Sequence, residues 1–174
     1  CLFASFKYHL KFNEGRKFHE LINVNFEQSI SAHRIHKKLK GLIWITPEFK
    51  NDDEKEVDII NDIQFKLQKD KRNKMLLTNY TFFSAILDQK LFSPSWAFAD
   101  DGTTHPVNDN KYVEKYKELM INIIKKNKIL VIYIAGSLDD KHVYNYIDEN
   151  CFKKTIISKN LKSYEIKSCN EING

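Results

Sequence analysis

Apolar positions recur along the chain in two rhythms, and the switches between them mark the elements. Val57, Ile60, Ile63 and Leu67 follow at spacings of three and four, which predicts an amphipathic helix. Tyr112, Val113, Tyr116, Leu119, Met120, Ile123 and Ile124 make a wider stripe opposite Lys115, Lys117, Glu118 and Asn122. That stripe predicts a second helix from Asn110 to Lys126. Three apolar runs do not alternate: Leu42 to Thr46 before Pro47, Lys74 to Thr78, and Ile129 to Ala135 before Gly136-Ser137. Short unbroken runs predict strands buried on both faces. Asn25 with Gln28 has the pattern of a capping box, opening a helix that carries Phe26, Ile30, Ile35 and Leu39 and ends at Gly41. Shorter helices are predicted over Thr81 to Asp88 and His142 to Glu149, and an edge strand over Tyr164 to Ser168.

Helices alternating with fully apolar strands predict an α/β fold: a three-layer, mostly parallel, Rossmann-like sheet of about four strands with helices on both faces. Residues 1–24 read as a lead-in, extended from Lys7 to Val24, and residues 25–174 as one α/β domain. Right-handed crossovers would bring Thr46-Pro47, Thr78-Asn79-Tyr80 and Gly136-Ser137 to one edge. Ligands of open α/β sheets bind at that carboxyl edge. The irregular segment from Lys90 to Asp109 is long for a loop in a compact domain, and such a loop is a lid, a binding loop or a disordered segment. Its end, His105 to Asp109, reaches the same edge, because the helix starting at Asn110 begins there.

Composition narrows the chemistry. Length and a hydrophobic content of 42% suit one domain with a proper core. The net charge of +5 comes from scattered lysines such as Lys37-Lys38, Lys125-Lys126 and Lys153-Lys154, without the basic aromatic stripe of a nucleic-acid binder. A modest positive excess also suits a position near anionic headgroups. Three cysteines without CxxC or Cys/His spacing argue against zinc. Cys151 and Cys169 can pair across a C-terminal loop outside the cytoplasm, and stay reduced within it. No GxGxxG, Walker A or GxSxG motif occurs, so no cofactor and no hydrolase triad is indicated. Cys1-Leu2-Phe3-Ala4-Ser5-Phe6 reads either as the last turns of a membrane span, in a fragment or processed chain, or as a short buried N-terminal segment.

Four residues stand out as ligand-binding candidates. Asn79 and Tyr80 follow a buried strand at the ligand edge, where they either contact a sugar or phosphate or else cap the next helix and pack under the loop. Trp96 either stacks on a saccharide ring or anchors the loop over the sheet. His105, near Asp100 and Asp101, has the chemistry of a base or metal ligand. His33 and His36, three apart on the first helix, are flanked by Arg34, Lys37 and Lys38 and form a solvated face.

Several segments resemble a known family when taken in order. They are Lys7-Tyr8, Phe12-Asn13-Glu14, Arg16-Lys17-Phe18-His19-Glu20 and Lys40-Gly41-Leu42-Ile43-Trp44-Ile45-Thr46-Pro47. Asn73-Lys74-Met75-Leu76-Leu77-Thr78-Asn79-Tyr80, Phe82 to Leu87, Ser93-Pro94, Asn110-Lys111-Tyr112 and Asn150-Cys151-Phe152 follow. Together they resemble the soluble C-terminal region of bacterial multi-spanning GT-C type glycosyltransferases, similar to the dolichyl-phosphate-mannose and aminoarabinose transferases. The resemblance implies inverting sugar transfer from a polyprenyl-phosphate donor to an acceptor glycan, on the extracytoplasmic side of the cytoplasmic membrane. It implies a catalytic carboxylate in a loop between membrane spans outside this sequence, and a soluble domain that partners the membrane-embedded part of the same chain. The chain departs from the family pattern at Asn79 and at Ser95-Trp96-Ala97. Two other classes compete: a freestanding Rossmann-like enzyme or small-molecule or nucleotide-binding module, and a non-catalytic structural domain that only binds a partner.

Overall fold

The computed structural model describes residues 2–9, 27, 29–45, 53–98, 103–107, 109–169 and 172. The chain divides into two compact units, Cys1–Asn61 and Asp62–Gly174. In the first, α1 (Leu2–His9) exposes Leu2, Phe3 and Phe6, at 90%, 77% and 63%. A short buried N-terminal segment is thereby overturned, and the extended lead-in is overturned at its start, where Lys7 is helical. The remainder of the lead-in, and Asn25, Phe26 and Gln28, lie outside the described residues.

The helix expected up to Gly41 does not form. Its place is taken by β1 (Ile30–Ser31) and two 3-10 turns, Ala32–Arg34 and Lys37–Leu39. His36 is extended at φ −161° and ψ 145°, and its Nδ1 accepts from the Lys38 amide at 3.2 Å. That ring-to-backbone bond competes with helix propagation, and it separates His33 from His36. Gly41, at φ +91°, then turns the chain back, and the Ala32 amide donates to the Leu42 carbonyl at 3.0 Å. A chain that returns on itself so soon can only pair antiparallel. Hence β2 (Ile43–Trp44) pairs antiparallel with β1, with Leu42 and Ile43 exposed. The buried parallel strand expected over Leu42 to Thr46 is overturned, and Thr46-Pro47 lies outside the described residues. The helix α2 (Asp53–Lys69) forms as the spacing predicts, with Val57, Ile60, Ile63 and Leu67 all buried, and the division between units falls within it.

The second unit is built on a five-stranded mixed sheet ordered β4–β3–β5–β7–β6. Its strands are β3 (Lys74–Thr78), β4 (Leu91–Phe92), β5 (Val131–Ala135), β6 (Phe152–Ser158) and β7 (Leu161–Ile166). Its helices are α3 (Phe83–Ile86), α4 (Val113–Asn127) and α5 (Lys141–Tyr144). Every residue of β3 and β5 is buried, as the apolar runs Met75-Leu76-Leu77 and Val131–Ala135 predict, and in β3 the burial extends to the polar ends Lys74 and Thr78. Met75, Leu77, Ile132 and Ile134 pack with Tyr116, Met120 and Ile124 of α4 and with Val143, Tyr146 and Ile147.

The expected three-layer, mostly parallel Rossmann-like sheet is not what forms. Among the described strands only β3–β4 and β3–β5 are parallel, whereas β5–β7, β6–β7 and β1–β2 are antiparallel. The reason is the two-residue link Lys159-Asn160, since parallel strands need a crossover of a dozen residues or more. The hairpin inserts β7 beside β5, so the strand expected at an edge over Tyr164 to Ser168 is interior and starts at Leu161. The helix expected over His142 to Glu149 stops at Tyr144, with a separate 3-10 turn at Glu149–Cys151.

Candidate functional site

Parallel pairing of Thr78 with Ala135 places the ends of β3 and β5 side by side. Gly136 leaves β5 at φ +96°, a backbone that only glycine adopts without strain. The spot a Cβ would take there lies 2.9 Å from Asn79 Oδ1 and 3.5 Å from the Tyr80 ring. Thr78-Asn79-Tyr80 and Gly136 therefore share one edge, as the sequence predicts. Asn79 does not occupy the cap position of the next helix, which is Phe82. Tyr80 meets Phe82 and Phe83 edge-on, at ring separations of 5.9 and 6.0 Å.

A cleft of about 540 Å³ opens beside this edge, between β3–α3 and the segment that follows β4. That size falls within the range of small-molecule sites. Apolar Leu76, Phe83 and Leu91 line it together with the hydroxyl-bearing Thr78, Thr81, Ser84, Ser93 and Ser95. None of the described residues that line it is charged. Trp96 stands at the cleft 97% exposed, so it does not anchor the loop as one reading of the sequence supposed. Phe98, 1% exposed, anchors it instead, with its amide donating to the Thr78 carbonyl at 3.1 Å.

The hydroxyls are oriented by the backbone. Ser93 donates to the Ser95 carbonyl at 2.6 Å, and Ser84 to the Thr81 carbonyl at 3.2 Å. Ser95 donates to the Thr104 carbonyl at 3.1 Å, so at 3.0 Å the Tyr116 hydroxyl is its donor. With their protons committed, these oxygens offer lone pairs. A ligand that satisfies them brings its own O–H or N–H donors.

His105 is not in the cleft. It is 5% exposed, with Nε2 3.0 Å from His142 Nδ1 and Nδ1 3.0 Å from Thr104 Oγ1. Phe98, Tyr116 and Tyr146 surround it at ring separations of 4.8 to 6.3 Å. Burial pushes the Tyr116 and Tyr146 hydroxyls up to about 12, so both stay protonated. Packed this way, His105 ties the loop to α5 rather than facing substrate. Asp100 and Asp101, its expected acidic neighbours, lie outside the described residues. Among the described residues no group of three or more His, Cys, Asp or Glu side chains could hold a metal.

Sequence reasoning missed the five hydroxyl residues and a carboxylate hub at the same end of β5. Ser93-Pro94-Ser95 and the Thr81/Ser84 spacing were the available signals, but only the β3–β4 register brings them to one cleft. Asp140 Oδ1 accepts from Lys162 Nζ at 2.6 Å and from the Tyr164 hydroxyl at 2.7 Å, and Oδ2 pairs with Lys154. Burial would raise its pKa, but these three donors outweigh burial and hold it at about 2. Cys151 and Cys169 form a disulfide with Cα atoms 5.3 Å apart, joining the segment before β6 to the segment after β7. No protein-family model matches the chain, and no match to a curated protein or a solved structure was found. The geometry therefore carries the functional reading, beside the family resemblance read from the segments above.

Proposed function

We propose that this chain is a non-catalytic, glycan-binding domain of a membrane glycosyltransferase, held on the extracytoplasmic side, with the cleft beside β3 and β4 as its sugar site. The observation that carries the reading is Trp96, fully presented to solvent beside a cleft whose described lining residues are uncharged and rich in hydroxyls. An exposed indole offers the apolar face on which a pyranose ring stacks. The serine oxygens, their protons already donated, accept from sugar hydroxyls. A nucleotide would ask for cations at its phosphates, and the described lining residues include no cation. The disulfide suits an oxidising compartment. Helix α1, with Leu2, Phe3 and Phe6 exposed, suits contact with lipid or with a membrane-embedded segment. The resemblance puts the catalytic carboxylate in a loop between membrane spans, so the sugar-transfer chemistry itself is assigned to other parts of such a protein; no helix among the described residues is long and apolar enough to cross a membrane.

The test is titration of the chain with neutral oligosaccharides and, in parallel, with nucleoside diphosphates, read by tryptophan fluorescence. A saturable change with a glycan and none with the nucleotides is expected. Saturable nucleotide binding at this cleft, or no response to any hexose-containing glycan, would overturn the assignment.

A further inference from the structure

The other ends of the same two strands carry a second cleft of opposite character. Lys74 pairs with Leu91, so the segments leading into β3 and β4 meet side by side. The cleft between them, about 300 Å³, is lined by Lys71, Arg72, Lys74 and Lys90, with Asp88 the single acid among its described lining residues. Lys74, at its floor, is only 1% exposed. Its ammonium donates to the Leu67 carbonyl at 3.0 Å, to Gln89 Oε1 at 2.6 Å and to the Asp70 carbonyl. Gln89 is aimed by its own amide, which donates to the Gln68 carbonyl at 3.0 Å. All three Lys74 donors thus meet neutral oxygens, which solvate the charge without cancelling it.

The nearby carboxylate is directed elsewhere. Asp70 is gripped by Arg72 at 2.8 to 3.1 Å and takes the Tyr133 hydroxyl at 2.6 Å. Arg72 in turn reaches Glu165 at 2.8 Å. Burial lowers the Lys74 pKa, and Lys71 and Arg72 lower it further, against the pull of Asp70. A buried cation bonded to neutral groups, beneath Lys71 and Lys90, leaves an excess of positive charge over Asp88 in a concave, polar space. An anion entering there gains charge-assisted hydrogen bonds from the flexible rim lysines and relieves the repulsion among them.

We infer that this amino-end cleft binds a phosphate group, either a small soluble phosphate or the phosphate of a lipid headgroup. The inference does not rest on the glycan reading, because the two clefts lie at opposite ends of β3 and share no lining residue. Lys71 and Lys90 are the ligand-contacting residues. Lys74 supplies charge from below, and Asp88 limits the charge the site tolerates.

Two probes test it on the intact chain at low salt. Inorganic phosphate is titrated while backbone amide NMR signals are followed. Phosphatidylcholine vesicles, with and without phosphatidylglycerol, are then used in co-sedimentation. Phosphate should shift the amides of Lys71 to Lys74 and Asp88 to Lys90 saturably. The double substitution Lys71→Gln with Lys90→Gln should weaken binding roughly tenfold without moving the melting temperature. Saturation by inorganic phosphate assigns a soluble ligand. No saturation, with sedimentation that requires both phosphatidylglycerol and the two lysines, assigns a headgroup. The inference is overturned if neither probe acts, if the double variant responds as the original chain does, or if the shifts spread over all the lysines.

Discussion

The two sides of the main sheet are held together by different means. On one side, β4, β3 and β5 run parallel, and β3 and β5 are buried from end to end. Polar groups are displaced to the strand ends, and both clefts open there. On the other side, β7 and β6 form a hairpin whose outer strand exposes Lys153, Lys154, Thr155 and Ile156. That hairpin buries less of itself and is secured by charge and covalent linkage. Asp140 gathers Lys154, Lys162 and Tyr164, Arg72 reaches Glu165, and a disulfide joins its two flanks. The difference separates roles: the parallel side presents sites, and the antiparallel side closes the sheet. Perturbing the hairpin should therefore cost stability, and perturbing the cleft rims should cost binding.

The largest effect expected on the hairpin side comes from the disulfide. It spans 18 residues of sequence, and closing a loop of that length stabilises by about 3 kcal/mol through the unfolded chain. Cys151→Ser with Cys169→Ser, or reduction, should lower unfolding stability by about that much in urea titration. A loss below about 1 kcal/mol would mean that the charged contacts alone secure the hairpin.

Next is Asp140. Asp140→Ala leaves the buried Tyr164 hydroxyl and two lysines without their shared acceptor, at an expected cost of about 2 kcal/mol. The same carboxylate gives a pH signature. Its pKa falls from 3.8 in the unfolded chain to about 2 in the folded one. A depressed carboxylate contributes stability that is fully present above its unfolded value and lost as pH falls through the folded value. Stability should thus decline between about pH 4 and pH 2. Asp70, held low by Arg72 and Tyr133 against burial, adds to the same decline. Asp140→Asn should remove part of the slope in acid unfolding curves and leave the Asp70 part. An unchanged slope would show that Asp140 does not hold the hairpin.

The same division explains what could be read from the residues alone. The strand Lys74–Thr78 and helices α2 and α4 follow from burial patterns within one segment, so their spacing announces them. The β6–β7 hairpin does not announce itself. Lys153-Lys154-Thr155 has no apolar alternation because that strand lies at the edge, and its structure comes from pairing with β7 and from Asp140, contacts made across the fold. The false helix before Gly41 has the converse cause. Ile30, Ile35 and Leu39 fall at near-helical spacing by coincidence, and only Ile35 of the three is buried. At the site, Asn79, Tyr80 and Trp96 were legible as residues after a buried strand and in a long loop. The cleft was not, because Ser93 and Ser95 reach it only through the β3–β4 register. Nor was the burial of His105, which depends on His142 from a helix 37 residues away.

The smallest structural effect, and the sharpest functional one, belongs to Trp96. At 97% exposure it contributes almost nothing to the packed interior, so Trp96→Ala should change stability by less than about 0.5 kcal/mol. The loop should keep its course, because Phe98 is buried in the core and its amide is bonded to Thr78. Any glycan that stacks on the indole should nevertheless lose about tenfold or more in affinity, from lost contact area and ring stacking together. Calorimetric titration of the variant, beside its melting curve, reads both quantities. Loss of binding with an unmoved melting temperature would make Trp96 a contact residue. A substantial drop in melting temperature would show that the indole is packed after all, and would remove the observation on which the sugar site stands. An unmoved affinity would put the ligand elsewhere.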